Sequence, residues 1–143
     1  MTGGLHSIFY PRSVAVLGAS TDPAKYGNQI LKVLVDDHYK GQIYPINPKA
    51  SDVLGLKAYP SLHDVPGHVD LAIVAIPAKF TPQAMRECSG KGVKGAVIIT
   101  AGFSEIGEEG RVLEEELVSD AREGGVRIIG PNCFGIINTD PVV

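Results

Sequence analysis

The stretch Ser13-Val14-Ala15-Val16-Leu17 runs straight into Gly18-Ala19-Ser20-Thr21-Asp22-Pro23-Ala24-Lys25-Tyr26-Gly27-Asn28, and its reading decides the fold. A short apolar run without polar alternation is what a strand buried on both faces of a parallel sheet looks like. A loop of small residues follows and opens a helix at Gly27, with Ile30, Leu31, Leu34 and Val35 on one face. Such a junction puts unpaired backbone N–H groups and the positive end of a helix dipole at one point, which suits a phosphate or pyrophosphate. The chain is therefore expected to hold an anionic, nucleotide-bearing ligand.

Working outward, the pattern repeats. Further strands are predicted at Gln42–Ile46, Asp70–Ile76, Gly95–Thr100 and Val126–Ile129. The first helix should end near Tyr39-Lys40-Gly41, with lysine beside its negative end and glycine as the stop. A short turn follows at Ser61-Leu62-His63-Asp64, with Ser61 as cap. Thr81-Pro82 reads as cap and first-turn proline of a helix that stops at Gly90 or Gly92. A last helix from about Glu108 to Arg122 carries Leu113, Leu117 and Ala121 on its inner stripe and ends at Gly124-Gly125. Strands alternating with helices define an α/β fold: a Rossmann-like doubly wound parallel five-stranded sheet in a single domain. The expected strand order is 3-2-1-4-5. The domain takes in residues 1–143 with an ordered core of about 7–139. Met1–Ser7 is expected to be loose and Thr139–Val143 to form no element.

A length of 143 residues suits one buried core, and 44% hydrophobic with 20% charged residues is ordinary for a globular chain. Net charge is −3 and lysine and arginine do not cluster, so no nucleic-acid partner is expected. Apolar runs such as Leu71–Pro77 are too short to span a bilayer, and no basic leader opens the chain, so no membrane association or secretion is expected. Cys88 and Cys133 lie far apart without ligand spacing, which points to a reducing, cytoplasmic setting. His6, His38, His63 and His68 form no metal pattern and are expected at the surface; no metal site is assigned.

In such a sheet the ligand sits beyond the carboxyl ends of the strands. The loops there are Gly18-Ala19-Ser20 with Lys25, Gly27 and Asn28; Asn47-Pro48-Lys49; Ile76 with Pro77-Ala78-Lys79; Thr100-Ala101-Gly102-Phe103; and Gly130-Pro131-Asn132-Cys133-Phe134-Gly135. Strand-to-helix turns favour such residues anyway. Five of them at one edge favour a binding crevice where a ligand approaches the backbone closely.

The glycine loop is not the G-x-G-x-x-G of dinucleotide dehydrogenases, because Ala19 to Tyr26 contain no glycine. A nicotinamide site also wants an acid at the end of the second strand to bond a ribose diol. Ile46-Asn47-Pro48-Lys49 offers a cation there. That suits a phosphate on the ribose, as in NADP or in the 3′-phosphate of coenzyme A, and the residues alone leave both open. No catalytic set is present: no Ser/His/Asp constellation, no HExxH and no GxxxxGK[ST]. The acids Glu105, Glu108, Glu109 and Glu114 to Glu116 read as a solvated helix face. Cys133 has no histidine in a neighbouring loop, so packing or ligand contact outweighs a nucleophilic role.

These stretches, with Val14–Ser20, Tyr44–Lys49, Val69–Ala78, Lys91–Phe103 and Gly130–Ile136 in order, resemble the CoA-binding domain of NDP-forming (ADP-forming) acyl-CoA synthetases, and more distantly the succinyl-CoA synthetase alpha subunit. The resemblance covers about Ser7 to Thr139. It implies a site for coenzyme A or acyl-CoA. Gly18, Ala19, Ser20, Gly27 and Asn28 would hold the phosphates, Lys49 would meet a phosphate, and Lys25, Asn47 and Pro48 would belong to the same binding site. Ile76, Pro77 and Ala78 would line the nucleotide or pantetheine. Thr100, Ala101 and Gly102 would guide the pantetheine arm towards Asn132 and Cys133. In the family, acyl-CoA, phosphate and ADP give acid, CoA and ATP through a phosphorylated histidine. That histidine belongs to a further domain, and ATP is handled by an ATP-grasp module. Neither lies in this sequence, so the chain is expected to bind CoA without completing the reaction, with phosphohistidine and ATP-grasp domains or subunits as partners.

Two rival readings are a stand-alone CoA or acyl-CoA sensing module, including one attached to an acetyltransferase, and a fragment of an NADP-dependent oxidoreductase. Acyl specificity and the choice between ADP and GDP are not legible in the sequence. A homodimer, formed through surfaces that a missing domain would cover, stays open as an arrangement.

Overall fold

The computed structural model describes residues 4–143. Helix α1 (Gly4–Phe9) precedes β1 (Ser13–Leu17), α2 (Tyr26–Asp36) and β2 (Gln42–Ile46). A small antiparallel hairpin follows, β3 (Asp52–Val53) and β4 (Leu56–Lys57), and then β5 (Leu71–Val74). Helix α3 (Thr81–Lys91), β6 (Gly95–Ile98), α4 (Glu108–Glu123) and β7 (Arg127–Ile129) complete the chain. The five long strands form one parallel sheet ordered β2-β1-β5-β6-β7.

Strand β1 is buried at every position because successive residues feed two cores. Val14 and Val16 pack with Ile8 of α1 and Leu31 of α2. Ala15 and Leu17 face the opposite way, towards Met85 and Cys88 of α3 and Leu117 and Ala121 of α4. Two-sided burial removes the period-two polar alternation that a half-exposed strand shows. Phe103 is fully buried under α4 and anchors the loop after β6. Truncating such a residue to alanine costs about 3–5 kcal/mol.

In the numbering of the predicted strands the order is 2-1-3-4-5, which corrects the expected 3-2-1-4-5. The reason lies in the connection from β2 to β5. It begins on the α2 face, where Val53 and Ala58 pack, and passes round the edge of β2 to the other face, where Leu62, Val65 and Val69 are buried. Crossovers are right-handed. One lying on the face opposite α2 must run in the opposite direction, so it brings β5 to the far side of β1. Strand β2 is thereby an edge strand, which its Pro45 requires. The Tyr59 N–H donates to the Pro45 carbonyl at 2.9 Å on that outer edge.

Three local expectations also change. Gly4–Ser7 belongs to α1, whose Ile8 is fully buried, so this part of the expected loose terminus is structured; Met1–Gly3 lie outside the described residues. Helix α2 stops at Asp36, short of Tyr39, because Tyr39 turns inward and donates its hydroxyl to the Pro11 carbonyl at 2.7 Å. Thr81 is the first residue of α3 and not its cap. The 3-10 turn Ala78–Phe80 runs directly into the helix, and the Thr81 hydroxyl donates back to the Ala78 carbonyl at 2.7 Å. Residues 139–143 form no helix or strand, but the Lys40 N–H donates to the Val143 carbonyl at 3.1 Å.

Candidate functional site

The order 2-1-3-4-5 puts the topological switch point between β1 and β5, where connections leave in opposite directions and a crevice opens at the carboxyl ends. A cleft of about 630 Å³ lies there. It brings together ten of the predicted residues: Gly18, Ala19, Ser20, Lys25, Gly27, Asn47, Pro48, Lys49, Ile76 and Pro77.

The floor is built by close approach of backbone. A Cβ on Gly27 would stand 1.9 Å from the Gly18 carbonyl oxygen, so only glycine lets α2 start against the end of β1. Gly18 has φ +88°, and a Cβ there would meet the Ala75 carbonyl oxygen at 2.3 Å. Among the described residues, the backbone N–H groups of Ala19, Ser20, Thr21, Tyr26 and Gly27 have no acceptor in the protein. Four of these five residues line the cleft, and two belong to the first turn of α2. Ala19 and Gly27 are buried, where backbone donors are nearly always paired, whereas Ser20 is half-buried and Thr21 and Tyr26 are exposed. A set left open at a helix N-terminus is an anion cradle.

Lys25 and Lys49 are exposed, line the cleft and form no ion pair among the described residues. The lining also carries a feature that the loops alone do not reveal. Tyr26 and Phe80 stand exposed at 71% and 50%, and Gln83 and Glu87 come from α3. Phe80, Gln83 and Glu87 follow helical spacing, and that periodicity was the available signal.

The other predicted residues lie outside the cleft. Asn28 is buried behind the loop, and its Nδ2 donates to the Ser20 carbonyl at 2.8 Å. Ala78 opens the 3-10 turn before α3. Thr100, Ala101, Gly102, Asn132 and Cys133 continue the same rim of the sheet. The Thr100 hydroxyl donates to the Ile76 carbonyl at 2.7 Å, and the Asn132 N–H donates to the Thr100 carbonyl at 2.9 Å. The ends of β5, β6 and β7 are thereby tied in a row. The Gly102 and Phe103 N–H groups are engaged by the Glu105 carboxylate at 2.5 and 3.1 Å, and the Gly102 N–H holds that carboxyl below its usual range. The Cys133 thiol is half-buried and donates to the Ile98 carbonyl at 3.3 Å. All four histidines are exposed, and no group of three metal-ligating side chains occurs among the described residues. No helix among them is long and apolar enough to cross a membrane.

Fold and cleft together define a doubly wound domain with a crevice open at its switch point. The chain belongs to the CoA binding domain family, which it matches over residues 12–139. It is 53% identical over 135 residues to the alpha subunit of the ADP-forming acetate–CoA ligase II of Pyrococcus furiosus, covering 94% of this chain and 29% of that one. It is 39% identical to the ADP-forming 4-hydroxybutyrate–CoA ligase of Nitrosopumilus maritimus, covering 93% of this chain and 19% of that one. Among solved structures, an acetyl-coenzyme A synthetase from Candidatus Korarchaeum cryptofilum, in complex with phosphate and ADP, superposes with TM-score 0.88 at 47% identity, covering 92% of this chain and 28% of that one. The chain thus spans less than a third of the length of these relatives.

Proposed function

We propose that the chain binds coenzyme A or an acyl-CoA in the cleft between β1 and β5, as the CoA-binding part of a cytoplasmic ADP-forming acyl-CoA synthetase. One observation carries the reading. Acceptor-free amides at the start of α2 share a cleft with the unpaired Lys49, which stands at the end of β2 where a nicotinamide site carries an acid. The amides and the helix dipole suit a pyrophosphate, and Lys49 suits the ribose 3′-phosphate. The rim from Ile76 through Thr100 to Asn132 and Cys133 then offers the pantetheine arm a path along the sheet.

The proposed whole reaction turns an acid, CoA and ATP into acyl-CoA, ADP and phosphate, or runs in reverse. Its phosphohistidine and ATP-grasp parts would be partners of this chain. Choice of the acyl group would rest with those parts, since relatives named for acetate and for 4-hydroxybutyrate share this domain.

Isothermal titration tests the reading. The chain is expected to bind CoA at 1:1 and to give no heat with NADPH. Lys49→Ala is expected to weaken CoA about tenfold, the scale of one charge-assisted contact, and dephospho-CoA much less. Equal losses for the two ligands would remove the assignment of Lys49 to the 3′-phosphate.

A further inference from the structure

Asn28 and Asn47 fall on the predicted ligand-binding stretches, yet both spend their amide groups inside the protein. Asn28 is 3% exposed, and its Nδ2 donates to the Ser20 carbonyl at 2.8 Å. Asn47, at the end of β2, donates Nδ2 to the Ala19 carbonyl at 2.8 Å. Its Oδ1 accepts the N–H groups of Lys49 at 2.7 Å and Ala50 at 2.9 Å. Two side chains from different elements therefore grip the carbonyls of two consecutive residues.

We propose that Asn28 and Asn47 are positioning residues that aim the phosphate-binding amides, with Asn47 also setting the place of Lys49 relative to them. The proposal rests on the reading of the cleft as a CoA site. In a trans peptide the C=O and the following N–H point in opposite directions. Holding the Ala19 and Ser20 carbonyls therefore fixes the direction of the Ser20 and Thr21 N–H groups, two of the donors without an acceptor. Asparagine is the suitable residue, since it supplies the donor that a carbonyl needs and, at position 47, an acceptor as well. Aspartate has nearly the same shape but presents an oxygen to that carbonyl. Because Asn47 bonds both the loop and the Lys49 turn, it couples the amides to the cation. Asn28 touches the loop alone.

The test is titration of Asn28→Asp and Asn47→Ala with CoA and dephospho-CoA, beside amide spectra of the ligand-free proteins. Asn28→Asp is expected to weaken both ligands by the same factor, about tenfold. Asn47→Ala should weaken CoA more than dephospho-CoA, because the Lys49 N–H loses its acceptor as well as the Ala19 carbonyl its donor. The Ser20 and Thr21 amide resonances should move in both variants before any ligand is added. Should Asn28→Asp fail to fold, Asn47→Ala, at the partly exposed end of β2, carries the test by itself, with Asn47→Val as its replacement. Variants that bind as the wild type does, with Ser20 and Thr21 unmoved, overturn the clamp while the CoA reading stands. Equal loss of both ligands in Asn47→Ala overturns the coupling to Lys49. A wild type that binds neither ligand overturns the function reading itself, and the ligand-free spectra still judge the clamp.

Discussion

At the amino end of the sheet, Asp70 is surrounded by donors. Its carboxylate accepts the Arg12 N–H at 2.9 Å and Arg12 Nε at 3.3 Å and lies 3.1 Å from His68 Nε2, while the Asp70 N–H donates to Ser13 Oγ at 3.0 Å. At the carboxyl end, the N–H groups of Ala19, Ser20, Thr21, Tyr26 and Gly27 have no acceptor among the described residues, and Lys25 and Lys49 have no counter-charge. One rim closes its polar groups on itself and the other leaves them open. A satisfied network stabilises the fold. An open set of like-signed groups stays available to an outside partner. On the proposed reading, the binding rim and this closed network lie at opposite ends of the same strands, so substitutions in the network should spare binding.

The largest effect should come from Gly27→Ala. In a helix this change ordinarily stabilises by about 1 kcal/mol. Here the new Cβ would stand 1.9 Å from the Gly18 carbonyl oxygen, so the first turn of α2 must move off β1. The expected cost is about 2–3 kcal/mol by denaturant unfolding, with CoA binding lost. A stabilised variant that still binds CoA would break the account of the cradle.

Next comes Asp70→Asn, which should destabilise by about 1–3 kcal/mol and leave CoA affinity within twofold. Burial pushes the Asp70 carboxyl up, but the Arg12 N–H and guanidinium and the His68 charge outweigh it, so it titrates below its usual 3.8. A depressed carboxyl pKa contributes stability that is present above the ordinary value and lost as pH falls through the lowered one. Melting temperature should therefore drop below about pH 4 in the wild type, and more shallowly in Asp70→Asn. A change in CoA affinity with this variant would show that the two ends are coupled.

The smallest effect concerns neither end. Leu54 holds φ +53° at the exposed tip of the β3–β4 turn. Leu54→Gly should relieve that backbone and raise stability by up to about 1 kcal/mol, with no change in binding. Loss of stability would mean that the Leu54 side chain packs more than its exposure indicates.

The five parallel strands were legible because two-sided burial leaves short apolar runs such as Leu71–Val74. Strand order was less so, since it depends on which face a connection crosses, and a run of residues does not carry that. Pro45 was nonetheless a usable sign of an edge, and Leu62, Val65 and Val69 of a buried crossing. The β3–β4 hairpin and α1 went unread because two-residue strands and a six-residue helix are too short to establish a period. In the site, loops at the strand ends pointed to the cleft floor. Its α3 wall was missed because Gln83 and Glu87 sit on a helix face, and the inward hydrogen bonds of Asn28 and Asn47 depend on loop geometry that a run of residues does not carry.

The central claim is that the carboxyl rim, at the start of α2, takes the ligand. Amide chemical-shift mapping of the labelled chain during titration with CoA tests it most directly. Saturable shifts are expected at Ala19, Ser20, Thr21, Tyr26, Gly27 and Lys49, with Arg12, Ser13 and Asp70 unmoved. Shifts centred on Asp70, or none at the start of α2 at saturating CoA, would contradict it.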